Sequence, residues 1–143
     1  GDSETMALRA STAALSSLRA SRVVAPTMAR AMASTPEGRF KAVILLKRKD
    51  GMSLEDFTKW WQGQHREMAM QLPGIRKYAI NLVNPPADGS EPDYDGVAEL
   101  WFDKEEDLLA AYGTEHGKAV AADSLENVSK RDRLLTTEYL YDP

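Results

Sequence analysis

After residue 39, segments typical of strands and segments typical of helices follow one another in the order strand, helix, strand, strand, helix, strand. Residues 40–46 form a short, nearly continuous apolar run with β-branched residues, which indicates a strand covered on both faces. A helix is predicted to begin after Ser53, a suitable N-cap, and to end at Pro73 and Gly74. This order restricts the chain to a small set of α+β arrangements.

The second half of the chain supplies the other elements of the pattern. Alternating residues predict strands over residues 75–83 and 96–102. A helix over residues 104–112 is expected to restart at Gly113 and to continue to about Val128, and residues 134–141 are predicted to form the last strand. The order βαββαβ is that of the ferredoxin-like fold, in which one four-stranded sheet carries both helices on one face.

The opposite face of such a sheet would have no cover within a chain of this length. A second copy, packed face to face about a two-fold axis, would cover it. We therefore expect a homodimer in which two sheets form a dimeric α+β barrel.

Residues 1–36 differ in composition from the rest of the chain. Between Met6 and Pro36 there are four arginines, many Ala and Ser residues and no acidic residue. This bias is typical of an organellar transit peptide, although an alanine-rich helix of the folded protein would also explain it. We predict an N-terminal extension over residues 1–36 and a folded domain over residues 37–143, in a cytoplasmic or mitochondrial protein.

Charge and composition argue against several classes of partner. The formal net charge is −4, without the basic patch that nucleic acids require, and no apolar run is long enough for a membrane span. The chain has no cysteine, and its two histidines are not at a metal-binding spacing, so no metal site is expected. No glycine-rich phosphate loop is present, so no nucleotide cofactor is expected.

His65 is the residue that most suggests chemistry. In the first predicted helix, residues at three- and four-residue steps share one face, and these are Leu54, Phe57, Trp61, His65 and Met68. An imidazole on the sheet-facing side could act as a general acid and base in a cavity between helix and sheet. The other interpretation is a structural histidine bonded to a backbone carbonyl.

The neighbouring strands supply further candidates. Alternation places Tyr78 on one face of its strand and Asn81 on the other, and places Glu99 and Trp101 together on one face of theirs. We predict that Tyr78 and Glu99 are catalytic or orienting residues beside His65. The predicted walls of a site for a flat, mainly apolar ligand are Phe57, Trp61, Met68, Asn81 and Trp101. His116, in a polar stretch, is interpreted as a solvated residue near a helix start.

The motifs resemble those of the EthD family of dimeric α+β barrel proteins over residues 40–141. The resemblance is carried by Phe57-x3-Trp61-x3-His65, by Leu72-Pro73-Gly74-Ile75-Arg76-Lys77-Tyr78, and by Glu99-Leu100-Trp101-Phe102 before an acidic helix. The spacing is also similar to that of the methylmuconolactone methylisomerases, cofactor-free enzymes of this superfamily.

The resemblance implies a homodimer with a small-molecule pocket, used in some relatives for isomerisation, cyclisation or dehydration without a cofactor. His65 matches the catalytic histidine of those isomerases, and Tyr78 and Trp101 match pocket positions. The isomerases have a cysteine where this chain has Leu100 or another residue without a thiol. The expected function is therefore a cofactor-independent enzyme acting on a small oxygenated hydrophobic metabolite, and the alternative is a non-catalytic ligand-binding or accessory subunit.

Overall fold

The computed structural model describes residues 37–143, and the folded unit runs from Gly38 to Tyr139. The predictions for the N-terminal extension and for the compartment fall on residues 1–36, outside the described part. Among the described residues, no helix combines the length and the apolar character needed to cross a membrane.

The elements follow the predicted order. The strands are β1 (Arg39–Arg48), β2 (Lys77–Leu82), β3 (Gly96–Trp101) and β4 (Val128–Glu138). Helix α1 is continuous through three segments (Leu54–Trp60, Trp61–His65 and Arg66–Met70), and it is followed by α2 (Glu105–Gly113) and α3 (Glu115–Asn127). Ser53 caps α1 as predicted, because its side chain accepts a hydrogen bond from the backbone N–H of Asp56.

The four strands form one antiparallel sheet in the order β2-β3-β1-β4. This is the ferredoxin-like α+β fold, so the predicted fold class is confirmed. Ala42 of β1 and Tyr78 of β2 both pair with Leu100 of β3, and directly paired residues lie on the same face. The core between this face and the helices contains Ala42, Ile44, Leu46, Ala98, Leu100, Phe57, Trp61, Leu108 and Val120, all at most 4% exposed.

Strand β4 begins at Val128, six residues earlier than the predicted start at residue 134. Its first half is rich in charged residues and has little intrinsic strand preference. It nevertheless pairs with β1, with Lys130 opposite Lys47 and Arg133 opposite Ile44. The ladder of non-local hydrogen bonds overrides the local preference.

The sheet has a second face, which we call the open face. Within residues 37–143 it carries no helix. It contains Lys41, Val43, Leu45, Ala79, Asn81, Val97, Glu99, Trp101, Leu134, Thr136 and Glu138, which are paired across the strands in register. Apolar side chains in its middle are only partly buried by the chain itself.

Candidate functional site

The middle segment of α1, Trp61–His65, is a π-helical turn. Its wider turn places residues five apart nearly above one another, whereas a regular α-helix would rotate them to different sides. The rings of Trp60 and His65 are accordingly stacked, with centroids 4.7 Å apart and planes inclined by 34°. The π turn therefore fixes the direction of the His65 ring, and such turns are common at functional sites.

Asp123 of α3 holds His65 in place. The Nδ1 atom of His65 lies 2.9 Å from Oδ2 of Asp123, and both residues are buried. The same carboxylate accepts hydrogen bonds from Nε1 of Trp60 at 3.1 Å and from Nε2 of Gln64 at 3.0 Å. Since an ionised carboxylate only accepts hydrogen bonds, Nδ1 of His65 carries the proton. The neutral ring then keeps Nε2 as its acceptor.

Two opposing effects set the charge of His65. Burial lowers its pKa, and this effect outweighs the hydrogen bond and the negative charge of Asp123, which raise it. The positive charge of Arg131 lowers the pKa further. His65 is therefore neutral at physiological pH, as a general base must be.

His65 lines a small cavity between the helices and the sheet. Its volume is about 20 Å³, enough for about one water molecule. The polar or ionisable side chains on its wall are those of His65, Tyr78, Tyr112, Ser124, Arg131 and the indole of Trp61. Among residues 37–143, every fully buried side-chain nitrogen or oxygen has a hydrogen-bond partner. Nε2 of His65 has no such partner in this part of the chain, so it is not fully buried. Nε2 is therefore accessible to a small molecule.

Tyr78 reaches this cavity from β2. Its hydroxyl oxygen accepts a hydrogen bond of 2.8 Å from Nε1 of Trp61. Burial raises the pKa of Tyr78 to about 12, so the hydroxyl stays protonated and can donate to a ligand. Tyr78 also borders a second, open groove of about 940 Å³, lined by Gln62, Arg66, Glu67, Met70, Gln71 and Ile80.

Gly96 allows Trp61 to hold this position. A Cβ atom at Gly96 would lie 2.1 Å from Cζ3 of the Trp61 ring, far inside van der Waals contact. The absence of a side chain at the start of β3 is therefore what admits the indole. Through Trp61, it also positions the Tyr78 hydroxyl.

The structure divides the predicted site residues into separate groups. His65, Trp61 and Tyr78 lie together on the cavity wall. Phe57 is in the core and packs against Trp61, with ring centroids 5.6 Å apart, and Met68 is partly buried against the same core. Neither Phe57 nor Met68 borders the cavity.

The predicted grouping of Asn81, Glu99 and Trp101 with His65 is wrong. All three lie on the open face, because Glu99 pairs with Val43 and Ala79, while Leu100 beside it points to the helices. Residues adjacent in a strand point to opposite faces. Asp123, rather than Glu99, is the acid that orients His65.

The open-face residues instead form an ionic cluster. Lys41 donates to Glu99 at 2.9 Å and also pairs with Glu138, and Asn81 donates to Glu99 at 3.0 Å. Nε1 of Trp101 donates to Glu138 at 2.9 Å. Hydrogen bonds from Lys41 hold the pKa of both glutamates below their usual range. These charges satisfy one another.

His116 is not the solvated residue that the sequence suggested. It is partly buried, and its Nε2 lies 2.8 Å from the carbonyl oxygen of Met68. This contact joins the start of α3 to the end of α1. His116 is thus a structural histidine bonded to a backbone carbonyl.

The sequence analysis missed Asp123, Tyr112 and Arg131. One signal was available for Asp123, because it follows Val120 by three residues and so shares the apolar face of α3. A charged residue on such a face indicates a buried partner. Among residues 37–143, no three His, Cys, Asp or Glu side chains are grouped as metal ligands would be.

A match to a family model shows to which protein family this chain belongs. The model of the EthD domain matches residues 49–131, more than half of the chain. The chain belongs to the EthD family. The resemblance seen in the sequence motifs is thereby confirmed. None of the curated proteins compared with this EthD chain matches it.

Solved structures share the fold of this EthD chain at low sequence identity. An EthD family protein from Bacillus halodurans is 21% identical, with a TM-score of 0.55 over 73% of this chain and 99% of that chain. A dimeric protein of unknown function with a ferredoxin-like fold, from Bacteroides fragilis, is 17% identical, with a TM-score of 0.55 over 71% and 97%. SnoaB, a cofactor-independent oxygenase from Streptomyces nogalater, is 12% identical, with a TM-score of 0.56 over 73% and 97%.

Proposed function

We propose that this EthD protein is a cofactor-independent enzyme that moves a proton on a small oxygenated hydrophobic metabolite, with His65 as the general base and acid. The observation that carries the proposal is the buried pair of His65 and Asp123, with Nε2 of His65 at a cavity and without a partner among residues 37–143. The chain belongs to the EthD family, and SnoaB, a cofactor-independent oxygenase, shares its fold.

His65 and Asp123 divide the work of the base. Asp123 fixes the tautomer, so that Nε2 of His65 takes a proton from a carbon next to a carbonyl group. The ring then becomes positively charged, and Asp123 at 2.9 Å stabilises that charge. The interaction is stronger in the charged intermediate than in the resting state, which is the requirement for catalysis.

Tyr78 acts on the other end of the substrate. When the C–H bond breaks, its electron pair moves toward the carbonyl oxygen and forms an enolate. The neutral Tyr78 hydroxyl, held by Trp61, donates a hydrogen bond to that oxygen. The protonated His65 then returns its proton to another carbon, giving isomerisation, or to a leaving hydroxyl group, giving dehydration.

The open groove is the proposed entry for the substrate. The cavity beside His65 is small, whereas the groove on the outer side of Tyr78 is about 940 Å³. Because Tyr78 borders both, movement of its ring joins them. The alternative function, a ligand-binding or accessory subunit, uses the groove alone and needs no reactive His65.

An exchange experiment distinguishes these functions without knowledge of the natural substrate. The protein is incubated in deuterated water with a panel of lactones and β-dicarbonyl compounds, and NMR follows loss of the proton next to the carbonyl. We expect catalysed exchange for some members. The H65A variant should reduce the catalysed rate by about 100-fold or more, whereas H116Q should keep it.

The comparison of the two histidines makes the test specific. Both variants remove an imidazole, and only His65 lies at the cavity. Binding of a panel member without exchange, or exchange that H65A retains, would contradict the catalytic proposal. The first of these results would favour the ligand-binding alternative.

We further propose that the chain forms a homodimer through its open face, giving the dimeric α+β barrel. Val43, Leu45 and Val97 are partly exposed there, and Leu134 is 51% exposed. The related protein from Bacteroides fragilis is dimeric.

Sedimentation velocity should detect a dimer for the wild type and a monomer for L45E. L109E, at a residue 51% exposed on α2, should remain dimeric. A monomeric wild type at micromolar concentrations would refute this assembly.

A further inference from the structure

We infer that Arg131 binds an anionic oxygen group, of the size of a carboxylate, on the molecule that occupies the cavity beside His65 once movement of the Tyr78 ring has joined this cavity to the open groove. This inference rests on the proposed function for the location of the substrate, and it adds the chemical class. The substrate is then a carbonyl compound that also bears a carboxylate.

The register of β4 directs Arg131 toward the helices. Arg131 pairs with Leu46 of β1, whose side chain is buried in the core, so both side chains lie on the helix-facing side of the sheet. Arg131 lines the cavity together with His65, Tyr112 and Ser124. A guanidinium group is therefore part of the cavity wall.

The charge of Arg131 has no acidic partner in the part of the chain that the structure describes. Within residues 37–143, no carboxylate lies within 4.0 Å of its guanidinium. Two other arginines of this part are paired, since Arg48 contacts Asp95 at 2.6 Å and Arg76 contacts Asp103 at 2.8 Å. Arg76 forms its pair although it is largely exposed. A partly buried arginine without such a pair has a stronger need for an anion.

Asp123 does not fill this role. Its two oxygens accept from Trp60, Gln64 and His65. Tyr112 shares a side-chain hydrogen bond with Arg131, but it is neutral, because burial raises the pKa of its hydroxyl. Burial also lowers the pKa of Arg131, because water only partly solvates its charge. Among the described residues, the guanidinium therefore has a neutral partner and no negatively charged one.

Arginine suits this task because its planar group offers two parallel N–H donors that match the two oxygens of a carboxylate. An anion bound there would also change His65. The positive charge of Arg131 lowers the pKa of His65, so neutralising that charge raises it. Binding can thus be followed at His65 even when no reaction takes place.

Acetate and acetamide provide a matched pair of small probes, equal in shape and different in charge. NMR of the His65 imidazole, at constant ionic strength set with sodium chloride, reports their binding. We expect acetate to bind at least about tenfold more tightly than acetamide, as for a hydrogen bond to a charged group. Acetate should also raise the pKa of His65, and acetamide should not.

Three variants locate the effect. R131M should lose the preference for acetate, and R131K should keep the charge with weaker binding, since lysine lacks the bidentate geometry. R133M is the matched control, because Arg133 is an exposed arginine two residues along the same strand and on the same face. It should keep the preference.

The results also separate this inference from the proposed catalysis. A preference for acetate that R131M abolishes, in a protein without proton exchange on any carbonyl compound, would support the anion site and refute the catalytic function. Equal binding of acetate and acetamide, a preference that R131M retains, or an equal loss in R133M would overturn the anion site. H65A tests only the catalytic proposal.

Discussion

The two faces of the sheet use charged residues in opposite ways. On the open face, Lys41 is bonded to two glutamates, and the donors of Asn81 and Trp101 complete the cluster. On the helix-facing side, within residues 37–143, Nε2 of His65 at the cavity has no hydrogen-bond partner and Arg131 has no acidic partner. One set of polar groups is satisfied internally, and the other retains capacity for a ligand.

This difference shows why charge and aromatic content alone are poor guides to a site. Glu99 and Trp101 look as suitable for binding as Asp123 and Trp61, yet both lie on the open face of β3. Self-satisfied charges flanking partly exposed apolar residues suit a surface that meets another protein. Groups with unused hydrogen-bonding capacity at a cavity suit a small ligand.

The largest effect is expected for D123A. Loss of the carboxylate leaves the donors of Trp60, Gln64 and His65 without an acceptor, and we expect unfolding to become easier by about 3 kcal/mol. Denaturant titration measures this, with E126A, an exposed acid on the same helix, as the control. NMR should show a lower pKa for His65 in D123A and in the isosteric D123N, because both lose the charge that raises it. If D123A lost no more unfolding free energy than E126A, the hydrogen bonds of Asp123 would not stabilise the helix-facing side of the sheet.

G96A tests the packing that positions Tyr78. The added Cβ overlaps the Trp61 ring, so we expect a loss of about 2 kcal/mol and a change in tryptophan fluorescence. Gly63 in α1 is the comparison, because no atom lies within 4 Å of a Cβ built there. G63A should instead stabilise the protein by about 0.5 to 1 kcal/mol. Equal stabilities of the two variants would contradict the close approach at Gly96.

K41M tests the open face. It leaves Glu99 and Glu138 without their shared cation, and we expect a loss of about 1 to 2 kcal/mol at pH 7. The pKa of each glutamate is depressed in the folded protein, so the stabilisation is complete above their unfolded pKa and is lost as the pH falls through the folded values. The difference between K41M and wild type should therefore shrink at acidic pH. Because Lys41 lies on the opposite face of the sheet from His65, we expect no change in the pKa of His65, and a change would show that the two faces are electrostatically coupled.

The smallest effect is the pH dependence that His65 itself confers. Its pKa is lower in the folded protein than in the unfolded chain. The contribution of His65 to the stability of the fold is therefore complete above about pH 6.5, and it is lost as the pH falls through the pKa of the folded state. H65Q should show a flatter stability profile than the wild type as the pH falls below about 6.5. A steeper profile in H65Q would mean that folding raises the pKa of His65 instead.

Much of the site was predictable where the signal was local. The helix periodicity placed Trp61 and His65 on the sheet-facing side of α1, and strand alternation separated Tyr78 from Asn81. The π turn had no recognisable signal, because it depends on small changes in backbone hydrogen bonding within an ordinary helical sequence. The early start of β4 was missed because its charged residues become a strand only by pairing with β1.

The sequence by itself determined the order of elements, the ferredoxin-like class and the membership of His65 in a buried face, because these depend on periodicities within single segments. The tertiary structure alone decided which residues surround His65. Asp123 is 58 positions away from it, and Arg131 reaches the same cavity from the last strand. Such neighbours are set by strand register and helix packing, which join distant parts of the chain through contacts that no local pattern specifies.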